Sequence, residues 1–412
     1  MRHQRAPKGV AISRRQFFAG ATGLGALMLC PKMAAIAAET VTLPFANGER
    51  RLVAFPQKRP LILLTSRPPQ LETPFSVFNE GVLTPNDAFF VRYHLSQIPT
   101  SIDPETFRLE IKGNVKAPLT LSLEELKTKF EPVEIVAVNQ CSGNGRGFSN
   151  PRVAGGQMGN GAMGNARWKG ARLKEVLNRA GVASGSKQVM FNGLDGPVNE
   201  KTPDFVKALE VEQALDDDVL LAFEMNGEPL PMLNGFPLRL IVPGYYGTYW
   251  VKHLNEITVS AEPFMGYWMD AAYRIPNNPC ACVEPGTAAK STRPIGRFNV
   301  RSFITSPADG DTVHVGRNAS ARGIAFDGGY GIAEVLFSED GGKNWREAQL
   351  GKDLGKYSFR EWTIPFTPPR AGAYELKVKA TNRIGQSQPA EPLWNPAGYM
   401  RNVIETVRVN VV

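Results

Sequence analysis

Histidine and cysteine are scarce in this sequence, four of each among 412 residues. No His-Glu-x-x-His and no Cys-x-x-Cys-His occurs, which excludes a zincin site and a covalently attached c-type haem. Beyond residue 38 stand three histidines and three cysteines, and a four-ligand structural zinc would need most of them. No Walker A loop is present. One glycine signature, Gly159-Asn-Gly-Ala-Met-Gly164, lacks the buried strand before it and the amphipathic helix after it that dinucleotide binding requires, so it is set aside. A strong charge of one sign is missing too. The first 38 residues hold six Lys and Arg and no Asp or Glu; the rest of the chain carries 41 basic against 39 acidic residues. That balance leaves no electrostatic footprint for nucleic acid. Long apolar runs are absent as well. "FFAGATGLGALMLC" is too short and too rich in glycine to cross a bilayer comfortably, so a membrane anchor is its weaker reading.

That run follows "SRRQFF" (Ser13 to Phe18) and precedes the small residues of "AAIAAET". The arrangement reads as a twin-arginine export signal, residues 1–38, removed near residue 38 in a protein bound for the periplasm. Such export moves proteins already folded around a cofactor, so a cofactor is expected. The length predicts two domains. After a polar, proline-rich entry (39–75), "FRLEIKG" and "EIVAVN" read as strands, and "SLEELKTKF" and "ARLKEVLNRAG" as amphipathic helices, the second stopped by Gly181. "LRLIVPG" is a further strand, and the fold class is α+β with sheet predominating. "CVEPGTAAKSTRPIG" (282–296) reads as a linker closing the first domain, 39–296. From residue 297 to 412, strand-length runs at regular spacing, with a hairpin at "SEDGGKNW", predict an immunoglobulin-like β-sandwich.

Cys141 stands where an apolar strand meets a glycine-broken loop, "AVNQCSGNGRGF". A lone cysteine is more often core filler, but this loop is too polar for a core. Its thiolate suits a soft metal centre. It would equally serve as a nucleophile, with Arg146 lowering its pKa and His94 or His253 as base. The residues alone leave both readings open. Cys280 and Cys282 are too close for a zinc finger; an incidental pair, a disulfide and a partner-related role all remain.

The segments "FFVRYHL", "VNQCSGNGRGF", "GGQMGNGAMGNARWKG", "FNGLDGP", "NGFPLRLIVPGYYGTYWVKHL", "YRIP" and "SEDGGKNW" resemble, in order and spacing, the sulfite oxidase family of molybdopterin enzymes. They resemble in particular the exported bacterial sulfite dehydrogenases without haem. The resemblance implies a sulfite-oxidase-type molybdopterin-binding domain followed by a β-sandwich dimerisation domain, hence a homodimer. It implies that Cys141 ligates a mononuclear molybdenum and that Arg92, His94 and Arg146 converge beside it. Cationic donors suit sulfite and sulfate, which are oxyanions. Tyr273 matches the family's active-site tyrosine. Arg239, Lys252, Asn234 and Asp195 match positions that grip the pterin and its phosphate, with Phe90, Trp250 and Val251 along the cofactor tunnel. Where eukaryotic relatives carry an arginine ahead of the lysine, this chain reads "TYWVK". The implied activity is oxidation of sulfite to sulfate, with electrons passing to a separate c-type cytochrome. Rival readings are a protein methionine sulfoxide reductase, whose neutral substrate needs no cation cluster, a eukaryotic-type nitrate reductase, and a non-catalytic member.

Overall fold

The computed structural model describes residues 39–412; the arginine pair and apolar run read as an export signal lie outside the described residues. The first departure from expectation comes at once. The entry 39–75 is a sheet of strands Thr40–Thr42, Glu49–Phe55, Lys58–Ser66 and Pro69–Glu72, completed by Val91–Arg92. Its prolines mask the pattern, yet Leu61 and Leu71 are buried with Val91 and Tyr93 in a small core of their own.

Two further sheets carry the pocket. One runs Lys207–Glu210, Gln188–Gly193, Leu254–Ser260, Arg108–Gly113 and Leu119–Ser122, and only the Leu254–Ser260/Arg108–Gly113 pairing in it is parallel. The other orders Glu228–Pro229, Leu220–Met225, Met163–Arg172 and Pro132–Gln140, with Arg239–Ile241 also paired to Leu220–Met225. Both expected helices form. Leu123–Thr128 begins at a capping box in which Ser122 and Glu125 satisfy each other's backbone amides. Leu173–Ala180 ends at Gly181, whose φ of +72° is the left-handed cap that glycine adopts without Cβ strain. The helices are short, and most of the core comes from strands.

The C-terminal sandwich packs Arg301–Ser306, Ala319–Phe326, Arg360–Phe366 and Gln349–Leu350 against a second sheet. That sheet orders Thr312–Val313, Thr406–Val411, Gly372–Asn382, Ile332–Ser338 and Arg346–Glu347. Burial alternates along Gly372–Asn382, as one-sided packing demands; Leu376, Val378 and Ala380 share a core with Phe337 of the same sheet and Trp362 of the other. The segment expected as a bare linker contains strand Thr292–Pro294, which pairs back onto Arg274–Pro276. Cys280 and Cys282 are joined in a disulfide just before it. Among the described residues no helix is long and apolar enough to cross a membrane.

Candidate active site

Strand alternation explains how "VRYH" builds one wall of the pocket. Arg92 ends the strand Val91–Arg92, so Arg92 and His94 share a face while Tyr93 turns into the core at 1 % exposure. Tyr93 Oη sits 2.7 Å from His253 Nε2, which removes His253 from the pocket. Opposite, the nine-residue strand Pro132–Gln140 delivers Cys141 at its end. The Cys141 N–H donates to Ala162 O (2.9 Å) and its carbonyl accepts from Asn144 N (3.0 Å). Gly145, at φ +86°, then turns the chain as only glycine does easily.

These elements line a pocket whose walls include Phe90, Arg92, His94, Cys141, Asp195, Asn234, Arg239, Trp250, Lys252 and Tyr273. Ten of the twelve residues singled out from the sequence therefore meet there. Arg146 does not line it. Its Nε donates to Ala397 O (2.9 Å) and its guanidinium lies 5.0 Å from the Tyr399 ring centroid. Space for it exists because positions 143 and 155 are glycine; a Cβ at either would come within 2.8 Å of the guanidinium. Val251 is buried outside the lining, its N–H given to Tyr249 O and its carbonyl taken by Leu240 N. Both expectations are corrected on that ground.

The pocket is built to receive an anion. Five buried polar atoms facing this region have no hydrogen-bond partner among the described residues: Arg92 Nε, Asn139 Nδ2, Ser142 Oγ, Arg239 Nε and Thr248 Oγ1. Buried polar groups are normally satisfied, so such a cluster marks a place for a ligand. Arg239, 4 % exposed between the Trp168 and Trp250 rings, donates to Asn234 O (3.0 Å) and is drawn down to about 10 by burial. Burial, then Arg239, lowers Lys252; burial raises Asp195, the only acidic lining residue among the described residues. Cations pushed toward neutrality signal missing negative charge.

His94 stacks on Phe205 at 3.8 Å and bonds through Nε2 to the Tyr273 hydroxyl. Burial, then Arg92, Lys252 and Lys207, keeps its pKa well below the usual histidine value, so the ring is neutral. Three residues that sequence reasoning missed support this wall. Lys58, fully buried, donates to Phe89 O (3.0 Å) and to Asn234 Oδ1. Lys207 lies against the Tyr273 ring, and Tyr399 stacks on it. Buried lysines and distant aromatics leave no local pattern to find.

The glycine signature also finds its use. Gly159 N and Gly161 N donate to Glu72 Oε1 (3.0 Å) and Oε2 (3.2 Å), so a carboxylate occupies the place a phosphate takes in a nucleotide loop. A Cβ at Gly161 would stand 2.1 Å from Thr73 O. Burial raises Glu72 from 4.5 to about 7 against those amide donors. A carboxyl whose folded pKa lies above its unfolded value stabilises fully below the unfolded pKa and loses that contribution as pH rises through the folded one. Stability should therefore fall between about pH 4.5 and pH 7 by on the order of 3 kcal/mol from this group. Urea unfolding at pH 5 and pH 8 checks this, and Glu72→Gln should flatten the difference.

Residues 95–268 match the family described as oxidoreductase molybdopterin binding domain. Residues 292–412 match the Mo-co oxidoreductase dimerisation domain. The chain is 35% identical over 378 residues to mitochondrial sulfite oxidase of Rattus norvegicus, covering 87% of this chain and 67% of that protein. It is 31% identical over 384 residues to sulfite oxidase of Arabidopsis thaliana, covering 87% and 96%. In fold it is similar to the sulfane dehydrogenase SoxCD of Paracoccus pantotrophus, with a TM-score of 0.70, 24% identity, and coverage of 96% and 95% of the two chains.

Proposed function

Because the chain belongs to the sulfite oxidase family of molybdopterin oxidoreductases, we propose that it oxidises sulfite to sulfate and passes the electrons to a separate c-type cytochrome. In this reading it works in the periplasm as a homodimer joined through its C-terminal sandwich. The observation that carries the reading is the pocket in which one cysteine, three cations and five unpartnered polar atoms converge.

The residues fit the cofactor. Arg239, Lys252 and Asn234 offer charge and amide donors to a phosphate and a polar ring system, and Asp195 offers an acceptor. Cys141 offers the soft thiolate that molybdenum takes. Bound there, the cofactor supplies an oxygen atom to the sulfite sulfur and takes up two electrons. The chain's own part is to bind and orient. Arg92 holds the sulfite oxygens by charge-assisted hydrogen bonds, a positioning and electrostatic contribution. Neutral His94, bonded through Nε2 to the Tyr273 hydroxyl, holds that hydroxyl at the pocket wall. Arg146 acts from behind Tyr399 rather than on the anion. Phe205 and Phe90 help exclude water. A neutral methionine sulfoxide substrate would draw no benefit from this charge.

Arg92→Gln is expected to lower kcat/KM for sulfite about 10- to 100-fold through loss of one charged donor. The variant should also respond less steeply to ionic strength than the parent. Sulfite-dependent reduction of ferricyanide and of cytochrome c by molybdenum-replete protein measures both. Metal-replete protein inert to sulfite would sink the proposal.

A further inference from the structure

Tyr273 stands in left-handed backbone, at φ +60°. That conformation is unfavourable for a residue with a Cβ and persists only where its surroundings over-determine it. Ile295 N donates to the Tyr273 carbonyl at 2.8 Å. The Tyr399 ring stacks on it at 5.4 Å and 4°. The third constraint is Lys207, on the strand Lys207–Glu210 and 1 % exposed. Its Nζ lies 5.1 Å from the Tyr273 ring centroid and 4.7 Å from that of Tyr249. A 2.6 Å hydrogen bond to Trp268 O fixes it there.

This ammonium is costly for the fold. It pairs with no carboxylate among the described residues; burial lowers its pKa to about 7, and the two ring faces beside Nζ favour the protonated form. An uncompensated buried charge destabilises, and an unbranched apolar chain of similar length would fill the space more favourably. What the charge gains is a directional hold on two aromatic faces, since a cation over a ring resists displacement of that ring. We infer that Lys207 is a positioning residue for Tyr273, holding the phenol against His94 and toward the pocket by cation–π contact. The inference rests on the role proposed above for Tyr273.

The test is a double-mutant cycle on holoprotein: wild type, Lys207→Met, Tyr273→Phe and the pair. Lys207→Met should lower kcat for sulfite about tenfold with KM changed less than about twofold. The same change in the Tyr273→Phe background should have no further effect, because the hydroxyl it orients is gone. Molybdenum content should stay at the parental level and the melting temperature should hold or rise. Equal losses in both backgrounds, or a lost kcat accompanied by a lower melting temperature, would mean a general structural role and overturn the inference. Tyr273→Phe with unimpaired turnover would overturn it together with the proposed role of Tyr273. A crystal structure of Lys207→Met reads the brace without substrate. The phenol is expected to have left His94; an unmoved Tyr273 overturns the inference even if sulfite proves the wrong substrate.

Discussion

Cys141→Ser is expected to leave a folded protein whose sulfite turnover is lower by on the order of a thousandfold or more, about 4 kcal/mol in the barrier. The fold should survive because the loop is held by backbone bonds, Cys141 N to Ala162 O and Asn144 N to Cys141 O. A hydroxyl in place of a thiol changes little volume at a position 9 % exposed. Turnover should not survive, because an alkoxide is a hard donor and a poor substitute for a thiolate at a soft centre. Pterin, by contrast, should still bind, since Arg239, Lys252 and Asn234 are untouched. Pterin fluorescence after denaturation, set beside ferricyanide assays, separates anchoring from chemistry. Full activity in this variant would remove Cys141 from the centre.

Arg239→Met is expected to do the reverse, weakening cofactor binding about tenfold or more, the loss that follows from about 1.4 kcal/mol or more of binding energy, and so lowering cofactor content. Its effect on the cofactor-free chain should be small and of either sign. The variant gives up one hydrogen bond to Asn234 O and two cation–π contacts, but also removes a guanidinium that is 4 % exposed with an unpartnered Nε. Taking away an uncompensated buried charge offsets much of the lost contact energy. The cofactor-loaded protein should lose more, because ligand binding to the native state alone raises its stability. Melting curves of loaded and stripped protein should therefore lie far apart for the parent and close together for Arg239→Met. Equal cofactor content in both proteins would show that the phosphate is gripped elsewhere.

What could be seen in the sequence was local. The helix begun at Ser122, the stop at Gly181 and the apolar strand leading to Cys141 are all set by neighbours within a few residues, whereas Arg92 and His94 came together only through the family resemblance. The first sheet was missed because prolines interrupt its strands, although its apolar residues still pair into a core. Arg146 was misplaced because its partner, the Ala397 carbonyl, lies far along the chain and a backbone acceptor leaves no mark in sequence. Lys58 and Lys207 look like ordinary surface residues until strand pairing buries them. Glycines 159 and 161 looked like a nucleotide loop because the backbone requirement for seating a carboxylate is the same.

Arg301, in the first strand of the sandwich, reaches back to Gln140 Oε1 (3.3 Å) and Asn160 Oδ1 (3.1 Å), on either side of the cysteine loop. Tyr399 and Ala397 hold Tyr273 and Arg146 from almost the last residues of the chain. On a ribosome, the molybdopterin-binding half emerges well before the residues that close its wall. A growing chain that has folded through residue 291 still lacks Arg301 behind the Cys141 loop and Tyr399 behind Tyr273. The finished pocket is thus completed only after residues 301–399 have been made and folded back onto it.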